Sequence, residues 1–181
     1  MTNSVLPELR MSDPPEDMDA HTLESLAQLA LAQAQECYWQ RAVLDGYSDG
    51  VIAKLAAEVS DLYDAAGEEA VKSDAISSAW IHHMGAKHHH FAGAAQYRSA
   101  RDCLEKKRYG EEVARLKDAV NCVAGGLQES KRGYLHKSVA EDLNGLKRKV
   151  EEDLKRAEKD NDMIYLSESH TAHKLKRILT N

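Results

Sequence analysis

Residues 109–127 read YGEEVARLKDAVNCVAGGL, and this stretch decides the fold class. Its apolar positions Val113, Leu116, Val120, Val123 and Leu127 recur at spacings of three, four, three and four. That is the period of one face of an α-helix and not the alternation of a half-buried strand. Glu111 and Glu112 stand in the expected first turn, where negative charge complements the helix dipole. Tyr109-Gly110 reads as the break before this helix, and Gly125-Gly126 as a weakening of its end.

The same period extends in both directions. A fifth helix is expected from the capping-box pair Ser138 and Glu141, with Val139, Leu143, Leu146, Val150 and Leu154 as its apolar face. Upstream, Ser73-Asp74 reads as the opening of a third helix that carries Ile76, Trp80, Met84, Phe91 and Ala95 to about Lys107. A first helix is expected over Ala20–Leu44 behind the N-cap Asp19, with Leu23, Leu26, Ala27, Ala30, Ala34, Cys37, Tyr38 and Leu44 as its core face. Asp45-Gly46-Tyr47-Ser48 closes it, and Ser48 caps a second helix to about Val71 along Val51, Leu55, Val59 and Leu62. So short a connection makes the first two helices antiparallel neighbours. The expected fold is all-α, about five helices in antiparallel hairpins stacked as a tetratricopeptide-like solenoid, without a strict 34-residue repeat.

Proline use agrees. The chain of 181 residues has three prolines, Pro7, Pro14 and Pro15, and none in the 166 residues that follow. Long helices tolerate that; folds rich in turns do not. Residues 1–18 read as an extended connector, 19–166 as the helical unit, and 167–181 as a flexible basic tail. With 43% apolar and 30% charged residues the chain can bury a core.

Composition also narrows function. No run of 18 apolar residues and no basic-then-apolar leader is present, which reads as a cytoplasmic chain without membrane insertion. Cys37, Cys103 and Cys122 are odd in number and form no C-x-x-C, so reduced thiols are expected, with Cys37 and Cys122 as small core residues. A net charge of −6 gives no general attraction to nucleic acid. Residues 1–80 carry a balance of −11 and residues 81–181 one of +5. Either an acidic helix pair packs beside a more basic one, or the second half presents a basic surface to a partner.

The segment His82-His83-Met84-Gly85-Ala86-Lys87-His88-His89-His90 holds no two histidines three or four apart. Helical metal sites use that spacing, so no metal site is expected, and the segment reads as a polar, partly buried helix face. Neither a nucleophile elbow nor a phosphate loop occurs. The expectation is no catalytic residue, no cofactor, and a binding module. Tyr38, Val51 and Leu55 come together across the first helical hairpin, bordered by Arg41 and Lys54. Exposed, they would form an apolar patch for an amphipathic partner helix; pattern alone favours a core role for all three.

Several ordered stretches carry a resemblance. They are residues 31–36 (LAQAQE), 52–56 (IAKLA), 86–88 (AKH), 109–116 (YGEEVARL) and 157–165 (AEKDNDMIY). In this order they resemble the BRO-one domain, the boomerang-shaped helical domain of ALIX-type adaptors. Residues 35–40 (QECYWQ), 72–78 (KSDAISS) and 81–84 (IHHM) resemble the fungal PalA-type pH-response regulators in particular. The resemblance implies the C-terminal half of such a domain. It implies a non-enzymatic adaptor that binds the C-terminal amphipathic helix of the ESCRT-III filament subunit and is recruited to endosomes. It further implies service in ambient-pH signalling, where a protease and a transcription factor would be met through regions outside this chain. By position, Tyr38, Val51 and Leu55 would be the apolar anchors for that helix, and Arg41 a charged contact. The alternative is a generic helical scaffold or a self-associating fragment.

Overall fold

The structure, a computed structural model, describes residues 19–179, with side chains described through residue 164. Five helices follow one another: α1 (Ala20–Leu44), α2 (Asp49–Ala70), α3 (Ser78–Glu105), α4 (Tyr109–Arg132) and α5 (Lys137–Leu179). Each packs against its neighbour in sequence, and α3 also touches α5. This is the expected stack of antiparallel hairpins, with no strand among the described residues. The expected connector over 1–18 lies outside the described residues. The backbone of α5 continues to Leu179, through most of the stretch expected as a tail.

The helix ends explain the topology. Asp19 caps α1 by accepting the His21 N–H at 2.7 Å and the Thr22 N–H at 3.2 Å, and it also bonds the Thr22 hydroxyl. These donors hold its carboxyl below the usual carboxylate range, the Thr22 side chain first among them. The C-termini of α1, α3 and α4 close alike. The Tyr47, Arg108 and Leu135 N–H groups return to the carbonyls of Ala42, Cys103 and Ser130, across a left-handed residue. At α1 that residue is Gly46; at α3 and α4 it is Lys107 (φ 58°) and Tyr134 (φ 48°). Gly133 precedes Tyr134 because a Cβ there would stand 2.5 Å from the His82 Cβ. A side chain in the left-handed region costs on the order of 1 kcal/mol relative to glycine. Tyr134 is 95% exposed and has little packing to lose. Tyr134→Gly is therefore expected to stabilise the chain by about 1 kcal/mol in urea unfolding.

Local chemistry corrects several boundaries. Ser73-Asp74 does not open α3. The Ser73 hydroxyl is buried, 2.6 Å from that of Thr22, and accepts the Ala75 N–H, so it closes a turn while Ser77 takes the cap position of α3. The break between α3 and α4 lies at Lys106–Arg108, and Tyr109 is the first residue of α4. α4 runs on through Gly125-Gly126 to Arg132, with Gly133 as its C-cap. The capping box of α5 does not form: Lys137 is already helical and Glu141 pairs with the Lys137 ammonium at 2.9 Å. The Ser138 N–H turns back to His136 Nδ1 at 3.3 Å instead.

Burial in α1 is reversed from the expectation. Its buried face is Thr22, Ser25, Leu29, Ala32 and Ala42. The whole expected core stripe, Leu23, Leu26, Ala27, Ala30, Ala34, Cys37, Tyr38 and Leu44, is exposed. Close approach to α2 selects small side chains, and Ser25 satisfies its hydroxyl by donating to the Ala66 carbonyl at 2.8 Å. Elsewhere the core follows the pattern except at Val51 of α2 and Trp80 of α3, which are exposed. Val59, Tyr63, Met84, Phe91 and Ala94 pack with Leu29 and Ala32 in one cluster. A second cluster joins Ala100, Leu116, Ala119, Val150 and Ala157 across α3, α4 and α5.

Candidate partner-binding site

The α1–α2 hairpin carries the residues singled out from the sequence. With a rise of about 1.5 Å per residue, Tyr38 lies about 9 Å before the end of α1 and Leu55 about 9 Å past the start of α2. Val51 lies one turn nearer the loop. Tyr38 is 70% exposed and Val51 41%, whereas Leu55 is half-buried. The adjacent aromatic takes the opposite side: Trp39 packs edge-on against Phe91, with ring centroids 5.2 Å apart. Arg41 is exposed and donates from Nε to Asp45 at 2.8 Å.

Asp49, in the first turn of α2, sets what stands beside Val51. Its carboxylate accepts from Arg98 at 2.7 Å and from Arg101 at 2.9 Å, drawing the start of α2 onto the end of α3. Between α2, α3 and α4 this leaves a cleft of about 500 Å³, bordered by Val51, Lys54, Ser99, Lys106, Arg108 and Arg115. Asp102, also in the wall, accepts from Lys106 at 2.7 Å and Arg108 at 3.4 Å. The Arg115 guanidinium donates to Gln96 at 2.9 Å. Sequence reading found Tyr38, Val51, Leu55, Arg41 and Lys54, which share one hairpin. It missed Asp102, Lys106, Arg108 and Arg115, which arrive from other helices and carry no local signal. The arrangement suits an apolar contact framed by cations, a surface for an amphipathic helix with acidic positions.

The histidine segment lies along α3 and divides among its neighbours. His82 Nδ1 is 2.7 Å from Glu129 of α4, and His88 Nδ1 is 3.1 Å from the Ser60 carbonyl of α2. The hydrogen bond from His82 leads in holding the Glu129 carboxyl below its usual range. No group of three or more His, Cys, Asp or Glu among the described residues could hold a metal ion. Cys37, expected in the core, is exposed; Cys103 is buried; and burial pushes the thiol of half-buried Cys122 upward. Among the described residues no helix is long and apolar enough to cross a membrane.

Comparison with known proteins agrees with this architecture. The pH-response regulator protein palA/prr-1 of Neurospora crassa is 69% identical over 174 residues, which cover 96% of this chain and 20% of that protein. The palA/RIM20 regulator of Pyricularia oryzae is 66% identical over 176 residues, 97% of this chain and 21% of that protein. The chain thus spans about a fifth of the length of these curated relatives. A solved ALIX BRO1 CHMP4C complex superposes with a TM-score of 0.76 at 28% identity, over 85% of this chain and 41% of that one. The model of the BRO1-like domain matches residues 2–180, and the chain belongs to that family.

Proposed function

We propose that this chain is part of an adaptor whose α1–α2 hairpin receives the C-terminal amphipathic helix of an ESCRT-III filament subunit. Tyr38, Val51 and Leu55 are the apolar anchors, and Arg41 is a rim charge. One pairing of facts carries the reading. A solved chain of this fold is an ALIX BRO1 complex with CHMP4C, and Tyr38 and Val51 stand outward here, where a core role would bury them. The cationic cleft beside Val51 suits acidic positions on the incoming helix. Recruitment to endosomes would follow from that contact, and the relatives' names, pH-response regulators, support a part in ambient-pH signalling. Contacts with a pH-signalling protease and a transcription factor would lie in regions outside this chain. The role is binding, with no catalytic step.

Titration of the full chain with the C-terminal helix of CHMP4C tests this. Val51→Asp places a charge on an exposed anchor and is expected to weaken binding by about thirtyfold or more, as a central hot spot does. Arg41→Ala is expected to change the salt dependence with a smaller loss. Equal affinity of wild type and Val51→Asp would remove the site assignment.

A second reading rests on the exposed apolar stripe of α1, which favours a self-associating scaffold. Sedimentation that depends on chain concentration with no partner present, and that Leu23→Asp abolishes, would select it.

A further inference from the structure

The histidines of α3 are distributed around the one helix that touches all four others. Its packing joins it to α2, α4 and α5, and the Lys87–Glu36 ion pair at 2.9 Å and the Phe91–Trp39 contact join it to α1. Two histidines sit on hydrogen-bonding partners that accept a charge. His82 meets Glu129, whose other oxygen takes Arg132 at 3.3 Å; His88 meets Ser60, with the Asp64 carboxylate 3.9 Å away. The rings of the other three make no hydrogen bond among the described residues, although carboxylates face each of them. His83 faces α1, where Glu36 is already engaged by Lys87. His89 is pressed onto α4: a Cβ on Gly125 would stand 2.9 Å from its ring, its neighbour His88 is 4.9 Å away, and Glu129 of α4 and Asp64 of α2 face it with the opposing, weaker influence. His90 stacks on Phe91 at 5.3 Å and looks toward Asp142 of α5 and Glu36 of α1, again with Lys87 close by. His83 and His90 border clefts between α1, α3 and α5 of about 360 and 420 Å³, so protons reach them without unfolding.

We propose that this belt is an acid-release device: protonation of His83, His89 and His90 loosens the seat of α3, first on its α1 and α5 sides, while His82 and His88 keep it docked to α4 and α2. Burial is the leading cause that holds all three imidazoles below their usual value. The Lys87 ammonium adds to it for His83 and His90, as does His88 for His89. A base whose folded value lies below its unfolded one is neutral in the fold and takes up a proton on unfolding. Its stabilising effect is therefore complete above the unfolded value of about 6.5 and is lost as pH falls below it. The inference rests on the helix stack and is independent of the partner-helix reading.

The full chain is unfolded in urea at pH 7.5 and at pH 5.0. The wild type is expected to lose on the order of tenfold in its folding equilibrium constant between the two, and His83→Gln/His90→Gln to lose clearly less. His21→Gln, on the exposed side of α1, should leave the loss in place. Titration of the ring resonances in the wild-type chain reads the same device without a substitution, with His83, His89 and His90 titrating below about 6.5. An unchanged equilibrium constant between the two pH values would overturn the proposal. So would an equal pH response in the double variant, or ring titrations at or above the ordinary imidazole value if that variant does not fold.

Discussion

Phe91→Ala is expected to remove about 3–5 kcal/mol of stability, the usual cost of deleting a large aromatic from a packed interior. Phe91 is the chain's single phenylalanine and is 2% exposed. Trp39 of α1 meets it edge-on at 5.2 Å, and Tyr63 of α2 lies parallel at 6.1 Å. The Lys87 ammonium stands 5.6 Å from its ring and 5.9 Å from that of Tyr63. One side chain thus joins three helices and seats a cation that is itself paired to Glu36. Tyr63 cannot move in to fill the gap, because its hydroxyl donates to Glu36 at 2.8 Å. A domain of this size has about 5–15 kcal/mol in all, so the variant keeps only a fraction of it. A thermal midpoint lowered by about 10 °C is expected, and a loss under about 1 kcal/mol in urea unfolding would show that the ring is not the hub described.

Arg156→Ala is the second large effect, and its origin is electrostatic. Glu112 lies in the first turn of α4 and is 1% exposed. Arg156 Nη2 on α5 donates to Glu112 Oε1 at 2.5 Å, while Oε2 has no hydrogen-bond partner among the described residues. Removing the guanidinium leaves a buried carboxylate whose compensation is reduced to the N-terminal dipole of α4. Breaking a buried pair from one side costs about 3–5 kcal/mol. Arg156 is itself partly exposed, so water reaches the site and the lower end is expected. The double variant Glu112→Leu/Arg156→Leu should be more stable than Arg156→Ala alone, because it removes the stranded charge as well as its partner. A double variant less stable than the single one would contradict this account of the α4–α5 contact.

Much of the fold was legible because helical period and core period coincide. In α4 and α5 the three-four spacing marks residues that line the interior, Leu116, Val123, Leu143 and Val150 among them. In α1 the two periods part. Its bulky apolar stripe points outward, and its buried side, Thr22, Ser25, Leu29, Ala32 and Ala42, is mostly small side chains that pack closely against α2. Boundary errors have similarly local causes. Ser73 resembles a cap in sequence, but its hydroxyl is committed to Thr22 and Ala75. The candidate site divides along the same line. Tyr38, Val51 and Leu55 are read together because a four-residue loop joins their helices. Arg108 and Arg115 are not, because they stand on other elements, which only the packing of α2, α3 and α4 brings to the same cleft.

The nearest-neighbour stacking has a kinetic consequence. Most contacts join helices that are consecutive in the chain; among the described residues the smaller ones run from α3 to α5 and, through Lys87–Glu36 and Phe91–Trp39, from α3 to α1. Little loop entropy has to be lost before a contact forms, so the contact order is low and folding is fast, on the scale of microseconds to milliseconds. Each hairpin can dock as it leaves the ribosome, α1 on α2 and then α3 on both, without waiting for α5. The chain can therefore assemble in the order in which it is made.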